Sequence, residues 1–589
     1  MGANDQDLAA TVERWLTDLE SALASADTVA LANLFRSDCH WRDLLALTWQ
    51  IRTFSGAAAV AAALGAHAPG ARASGFRLDR SRTPPRRVTR AGSDGVIESL
   101  IAFDTARGRG AGVLRLRGED GGRRAWTLST SLESLAGFEE AVGANRPSGE
   151  VYSRDFSGPN WLDRRNAARE YADRDPAVLV VGDGHAGLSI AARLGARGVD
   201  ALVVDRGERV GDNWRKRYHA LTLHNRVNVN HLPYMPFPPG WPSYVPKDKL
   251  ANWLEAYAEA MEINFWTATE FAGAAWDERN GGWTVKLERA GGAARELHPR
   301  HIVMATGVSG APNRPALAGL GDFAGTVVHS HEYAEAAAWR GRRALVIGTG
   351  NSGHDIAQDL HSNGAQVVLV QRSPTHIVGI EPSAQLPYTL YAEGPPLEDC
   401  DQIVAGTPFA LVRKAHRLLT ERASVIDRRL LEDLARVGFR TDSGEEGTGW
   451  QFRYLTRGGG YYFNVGCSDL IVERKIGLVQ LSDIERFVAG GARLKDGRTL
   501  EAELVVLATG YKGPRHLVAR LFGEQVAQRV GPVWGFDAEG AELRNMFVRT
   551  AQPGLWFIAG SFAQCRIYSR YLALQIKACE TGRIPLVAA

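Results

Sequence analysis

The sequence predicts an α/β chain built on two dinucleotide-binding βαβ units, with an α+β domain ahead of them. Two runs carry the assignment, Ala177-Val-Leu-Val-Val-Gly182 and Arg343-Ala-Leu-Val-Ile-Gly348, each passing directly into a glycine cluster and then a helix-compatible stretch. Strands buried on both faces of a parallel sheet read as continuous apolar runs of this kind. Glycine usage agrees: 64 of 589 residues, about 11% against an average near 7%, concentrated where strand-like runs meet helical ones. A chain of 589 residues corresponds to three or four folded units at about 150 residues per domain.

Composition excludes several classes of function. With 45% hydrophobic and 23% charged residues the chain is ordinary for a globular protein. A formal charge of +3 gives no electrostatic footprint for nucleic acid. The five cysteines (Cys39, Cys400, Cys467, Cys565, Cys579) are odd in number and nowhere spaced as C-x-x-C, which argues against a disulfide framework, a zinc site or a redox dithiol. No metal is expected. The N-terminus lacks a basic stretch followed by an apolar core, Gln6 departs from the myristoylation pattern, and the weakly polar stretch 56–71 is shorter than the ~20 residues of a membrane span. The expectation is a cytoplasmic protein with no membrane span.

In chain order, Leu8, Val12, Trp15, Leu16, Leu19 and Leu23 recur at helical spacing, and strand-like runs follow at Val113-Leu-Arg-Leu-Arg and Trp126-Thr-Leu-Ser-Thr-Ser. Residues 1–140 therefore form an α+β domain whose layout resembles the NTF2-like cone fold. Its acid-base candidates, His40 and Asp43, are expected on polar strand or loop surface beside a structural Trp41. Residues 141–176, turn-rich and then charged, read as a linker. The first nucleotide unit is expected over 177–315. The second follows over 316–493 with a helical cap inserted at about 381–450, and 494–589 returns to the first.

The chemistry sits in the glycine clusters. Gly182-Asp-Gly184-His-Ala-Gly187 is a G-x-G-x-x-G directly after a strand, and Asp205 closes Ala201-Leu-Val-Val-Asp205 at the spacing where a carboxylate accepts hydrogen bonds from an adenosine ribose. The second cluster is Gly348-Thr-Gly350-Asn351-Ser352-Gly353. Twenty-four residues after Gly348, where an NAD site carries its acid, stand Arg372 and Ser373. Arg372 can stack on adenine and pair with a 2'-phosphate while Ser373 donates a hydrogen bond, which selects NADPH over NADH.

Between and beyond these turns the sequence resembles the flavin-containing monooxygenases and the related YUCCA-type and Baeyer-Villiger enzymes. The resemblance lies in Gly211-Asp-Asn213-Trp214, in Leu221-Thr-Leu-His224-Asn225, and in Phe323-Ala-Gly325-Thr-Val-Val-His329-Ser-His-Glu-Tyr333, which fits F-x-G-x-x-x-H-x-x-x-(Y/F/W). It covers roughly residues 177–589 apart from the cap. Ala334 departs from the Lys that follows Tyr or Phe in the flavin-containing group, and His224 replaces that group's Thr.

The resemblance implies FAD at the first turn and NADPH at the second. It implies contacts from Gly211, Asn213, Trp214 and His224, from the two A-T-G returns (Thr306 and Gly307; Thr509, Gly510 and Tyr511), and from a helix through Tyr568 to Gln575 whose N-terminal end faces the flavin. His329 is then a linker residue between domains, and Asn225 the one side chain placed to act catalytically. The implied reaction inserts one oxygen atom of O2 into a small organic substrate through a flavin C4a-hydroperoxide, at nitrogen or sulfur or at a carbonyl or 2-oxo acid. Two alternatives stay open: an NADPH-flavin reductase without oxygen insertion, and a cofactor-binding regulatory protein. Partners are limited to substrate and O2, and a homodimer through the N-terminal domain is one expected assembly.

Overall fold

The computed structural model describes residues 3–119, 122–148 and 156–587. The N-terminal domain is a seven-stranded sheet. Its strands run in the order Ile51–Ser55, Phe35–Leu44, Gly122–Leu132, Gly108–Glu119, Ser93–Thr105 and Ser74–Leu78, with Arg86–Arg90 also paired to Ser93–Thr105. Helices Ala3–Ala24 and Ala57–Ala71 pack on it, and the period read from the sequence is the buried stripe: Leu8, Val12, Trp15, Leu16 and Leu19 all enter the core.

Asp43 corrects the expectation of a polar surface. It is fully buried, accepting from the backbone N–H groups of Leu47 and Thr48 and from the hydroxyls of Thr48 and Thr130. These donors organise the turn after Leu44, which is why a short acid stands there. His40 is half-buried, its Nδ1 at 2.8 Å from the Ser55 hydroxyl.

The expected linker is only partly one. Residues 149–155 lie outside the described residues, but Trp161–Glu170 is a helix with an Asn160/Asp163 capping box. It docks on the first nucleotide unit: Arg165 donates to the Ile263 carbonyl at 2.7 Å, and just beyond it the Tyr171 hydroxyl donates to Asp200 at 2.7 Å.

Two five-stranded parallel sheets follow. The first runs Asn264–Trp266, Ala201–Val204, Val178–Val181, His301–Met304 and Leu555–Phe557. The second runs Thr326–His329, Leu504–Leu507, Arg343–Ile347, Gln366–Gln371 and Gly477–Gln480. The expected return to the first unit at 494 is therefore misplaced. Leu504-Val-Val-Leu507 is buried throughout and completes the second sheet between two of its strands. The chain crosses back only after Tyr511–Lys512, which pairs with Ala311–Pro312.

The cap is bracketed by a parallel pair, His376–Gly379 and Tyr461–Asn464, so it extends beyond 381–450 at both ends. Between them lie helices Leu397–Ala405, Phe409–Ile426, Arg428–Arg436 and Gly449–Arg457. The N-terminal sheet packs on this cap. Leu411 joins Val96 and Trp126, Ile403 joins Leu100 and Val113, and Gln402 donates to Ser131 at 2.8 Å. Arg42 is buried in the seam, bidentate on Glu542 at 2.9 and 2.6 Å and donating to the Ala405 carbonyl at 2.6 Å. Among the described residues no helix is long and apolar enough to cross a membrane.

Candidate active site

Both glycine turns close a strand and open a helix. At the first, Gly182 takes a φ of +114°, and a Cβ there would come within 2.7 Å of the Ala305 carbonyl oxygen. Gly187 packs helix His185–Ala196 so closely that its Cβ would lie 1.9 Å from the Gly182 carbonyl oxygen. Gly184 is the N-cap and offers no side chain, leaving first-turn N–H groups free for an anion. Asp205 ends its strand with its carboxylate fixed by the N–H groups of Asp183 at 3.2 Å and Gly207 at 2.7 Å.

The second turn repeats the construction. Cβ atoms at Gly348 and Gly353 would lie 2.2 Å from the Ala508 and 2.0 Å from the Gly348 carbonyl oxygens. Gly350 caps helix Asn351–Ser362, and the nearest atom to its would-be Cβ is 3.7 Å away, so this face of the turn is open to close approach.

The two turns open on one cavity of about 870 Å³. Gly182, Gly184, Asp205, Asn213, Trp214, His224, Asn225, Thr306, Gly307, Asn351 and Ser352 all line it. Three buried polar groups beside the first turn have no hydrogen-bond partner among the described residues: Trp214 Nε1, His185 Nδ1 and the Asp183 carboxylate. His185 stacks on Phe562 at 4.1 Å with Nε2 at 2.9 Å from the Gly560 carbonyl, and burial lowers its pKa to about 4. It is a neutral flat wall. Open helix N-termini, an acid at the end of the adjacent strand and unpartnered polar groups beside an aromatic wall fit a dinucleotide with a planar ring.

A family model described as flavin-binding monooxygenase-like matches residues 175–392. The indole-3-pyruvate monooxygenase YUCCA1 of Oryza sativa subsp. japonica is 31% identical over 354 residues, spanning 60% of this chain and 80% of that relative. The probable indole-3-pyruvate monooxygenase YUCCA7 of Arabidopsis thaliana is 30% identical over 339 residues, spanning 57% and 74%. The chain belongs to the flavin-binding monooxygenase-like family. Its fold is shared with the crystal structure of OTEMO in complex with FAD and NADP, at a TM-score of 0.51 and 16% identity over 70% of this chain and 87% of that one. The closed crystal structure of cyclohexanone monooxygenase gives a TM-score of 0.51 at 16% identity, over 69% and 85%.

Several residues expected at the cofactors stand elsewhere in this flavoprotein. Gln575 is buried inside its helix, donating to the Phe547 and Tyr571 carbonyls and accepting from the Arg549 N–H. The helix starts at Phe562, not Tyr568, because a Ser561/Gln564 capping box initiates it, so Gly560, Ser561 and Phe562 reach the cavity instead. Gly211 supports the Trp214 turn from behind: at φ +87° its Cβ would meet the Ala251 carbonyl oxygen at 2.5 Å. Thr509, Gly510 and Tyr511 lock the domain crossing, Thr509 donating to the Asn313 carbonyl at 2.6 Å and Gly510 accepting from the Asn313 N–H at 2.9 Å. The His329 Nε2 lies 3.1 Å from the Gly510 carbonyl, so the fingerprint's histidine also braces this crossing, while Tyr333 donates to Asp359 at 2.7 Å on helix Asn351–Ser362 of the second unit.

Arg372 and Ser373 lie exposed past the strand Gln366–Gln371. No hydrogen bond or ion pair among the described residues engages the Arg372 guanidinium. Its carbonyl accepts from Arg440 at 2.9 Å, and the buried Gln371 side chain bonds both the N–H and the carbonyl of Arg440. A second cation is thus fixed at the same strand end.

Sequence reasoning missed the far wall of the cavity. Tyr388, Trp450, Tyr454, Tyr461 and Phe463 come from the cap, with Trp450 and Phe463 rings 4.9 Å apart. Asn225 reaches this wall, donating to the Tyr388 hydroxyl at 3.2 Å. Burial raises the Tyr388 and Tyr461 hydroxyls, so both stay protonated donors. An aromatic-rich cap sequence was the available signal, but helical and strand segments alternate there and no spacing pairs the rings.

Proposed function

We propose that this monooxygenase holds FAD at the Gly182 turn and NADPH at the Gly348 turn, and oxygenates a flat, largely apolar molecule lying against the cap. The observation that carries the reading is the single cavity joining both turns to an aromatic wall. When bound, NADPH supplies a hydride and FAD the ring that accepts it and activates O2. The chain's own residues bind and shield: Asp205 takes the adenosine ribose, Arg372, Ser373 and Arg440 the 2'-phosphate, and Trp214, His185 and Phe562 flank the flavin.

Asn225 and Tyr388 are the polar pair facing the substrate, placed to hold a carbonyl or heteroatom. The cap residues lining the cavity carry no cation, so a carboxylate lying against the cap would find no counter-charge on that wall. This favours an uncharged aromatic substrate over the 2-oxo acid named for the plant relatives. The test is a paired screen of an aryl 2-oxo acid and the matching aryl ketone under NADPH turnover. Preferred oxygenation of the ketone is expected; preference for the acid would overturn the substrate reading.

We further propose that residues 1–140 are an NTF2-like domain serving as a brace for the cap. The support is the seam through Arg42, Ile403 and Leu411, which covers one face of its sheet within the same chain. That face is therefore not free for the expected homodimer.

A further inference from the structure

The loop that carries Asn225 is stitched to the cap along most of its length. Within the first unit it is anchored by the Leu223 N–H, which donates to the Val245 carbonyl at 2.9 Å, and by the Val227 N–H, which donates to the Ser243 carbonyl at 2.7 Å. Its other side faces residues 380–401, which follow strand His376–Gly379 into the cap. Gln385 donates to the His224 carbonyl at 3.1 Å, Asn225 to the Tyr388 hydroxyl at 3.2 Å, and Asn228 to the Tyr391 carbonyl at 3.3 Å. One end of this seam is buried. There Arg566 holds Asp401 with two bonds of 2.7 Å and donates to the Val229 and His231 carbonyls at 2.8 Å each.

The other end is built at the surface. Arg226, next in the chain to Asn225, is bidentate on Glu381 at 2.8 and 2.5 Å, and the Tyr244 hydroxyl donates to the same carboxylate. Both charged side chains are part-exposed, 46% for Arg226 and 36% for Glu381, and neither lines the cavity. Asn225 and Tyr388, carried by the same two segments, do line it. A part-exposed ion pair adds little to the stability of a fold, so stability is a poor account of three side chains joining the two units here. Such a pair does fix geometry, because two parallel bonds set angle as well as distance. The Asn225 bond to Tyr388 needs that support, since 3.2 Å is the long end of the hydrogen-bond range.

We infer that Arg226 and Glu381 are positioning residues for oxygenation: their bond, seconded by Tyr244, latches the Asn225 loop to the cap and keeps Asn225 and Tyr388 in register on the substrate. The inference rests on the monooxygenase reading, in which that polar pair holds the substrate's carbonyl or heteroatom. The residues that hold FAD and NADPH are not part of the latch. An unlatched enzyme therefore still consumes NADPH and O2, but the two electrons of NADPH end on hydrogen peroxide because the substrate is no longer held.

The test compares wild type with Arg226→Ala as full-length protein loaded with FAD, using an aryl ketone as substrate. Product formed per NADPH is expected to fall roughly tenfold, within the cost of a misplaced positioning contact, with the shortfall appearing as hydrogen peroxide and the rate of NADPH oxidation near that of wild type. Arg226→Lys keeps the charge but not the two-bond geometry, so it should recover only part of the yield. Arg226→Ala combined with Glu381→Ala should be no worse than either alone, because both remove one contact. Glu381→Gln, which keeps the shape and removes the ionic pair, covers the case in which Arg226→Ala fails to fold. Amide hydrogen exchange with NADP+ bound gives a readout without turnover, and segments 221–231 and 380–392 should both exchange faster in the variants. Wild-type yield in Arg226→Ala, unmoved exchange in both segments, or losses that add in the double variant would overturn the latch. Absent product in wild type would count against the oxygenase, and the exchange of the two segments would still decide the latch.

Discussion

At the glycine turns almost every position is fixed by backbone pressed on backbone, whereas the N-terminal sheet meets the rest of the chain through apolar clusters and long charged side chains. Gly182, Gly187, Gly348 and Gly353 each leave less than 3 Å between a would-be Cβ and a carbonyl oxygen. The seam instead uses Arg42 on Glu542, Arg82 on Asp399 and Arg90 on Glu393. The turns are local in sequence, while Arg42 and Glu542 are 500 residues apart. The difference teaches where each region fails: a turn tolerates no added atom, and a charged seam tolerates no unpaired partner.

The largest effect expected is at the turns. Gly187→Ala forces the helix off its strand, so the protein should purify colourless. Gly353→Ala makes the same insult at the second turn and should leave a yellow protein that NADPH no longer bleaches under anaerobic conditions. Absorbance before and after NADPH separates the two, and identical behaviour of the variants would break the assignment of one cofactor to each turn. Next comes the seam. Arg42→Met strands the buried Glu542 carboxylate at a cost of about 3–5 kcal/mol, read by urea denaturation. Adding Glu542→Leu should recover most of it; a double variant as unstable as the single one would show that packing, not charge, governs the seam.

These contrasts explain what the sequence disclosed. The G-x-G-x-x-G turns, Asp205 and the strand runs were legible because each depends on neighbours within a few residues. Gln575 misled because a helix end is set by its cap, and Ser561 with Gln564 was overlooked. The boundary at 494 misled because an apolar run such as Leu504-Val-Val-Leu507 announces a strand but not which sheet receives it. Asp43 and the cap rings were illegible for the same reason as the seam, since their partners lie far away in the chain or their burial depends on tertiary packing. His185 was visible inside the fingerprint but could not be assigned without Phe562 beside it.

A smaller effect sharpens the electrostatic side. Glu98 sits among Arg86, Arg90 and Arg115, which hold its carboxyl down to about 2 despite burial. A depressed carboxyl stabilises the fold above its unfolded value, and that contribution disappears as pH falls from about 4.5 toward about 2. Glu98→Gln should therefore be less stable than wild type at neutral pH, with the gap closing over that acid range in thermal melts. An equal gap at every pH would remove the ionic account. Smallest for the fold, though not for the cofactor, is Arg372→Ala. Loss of a charge-assisted bond worth about 1.5–3 kcal/mol should raise the KM for NADPH by roughly tenfold or more and leave that for NADH unchanged. Equal effects on both cofactors would detach Arg372 from the 2'-phosphate.

The central claim is that one cavity couples the two nucleotide turns to oxygen insertion at the cap. The most direct measurement is turnover of an aromatic ketone with NADPH under heavy-isotope dioxygen, with product mass and NADPH consumption followed together. The account predicts one labelled oxygen atom in the product for each NADPH oxidised. NADPH oxidation that yields only hydrogen peroxide or a reduced acceptor, with no label in any product across the screen, would contradict it.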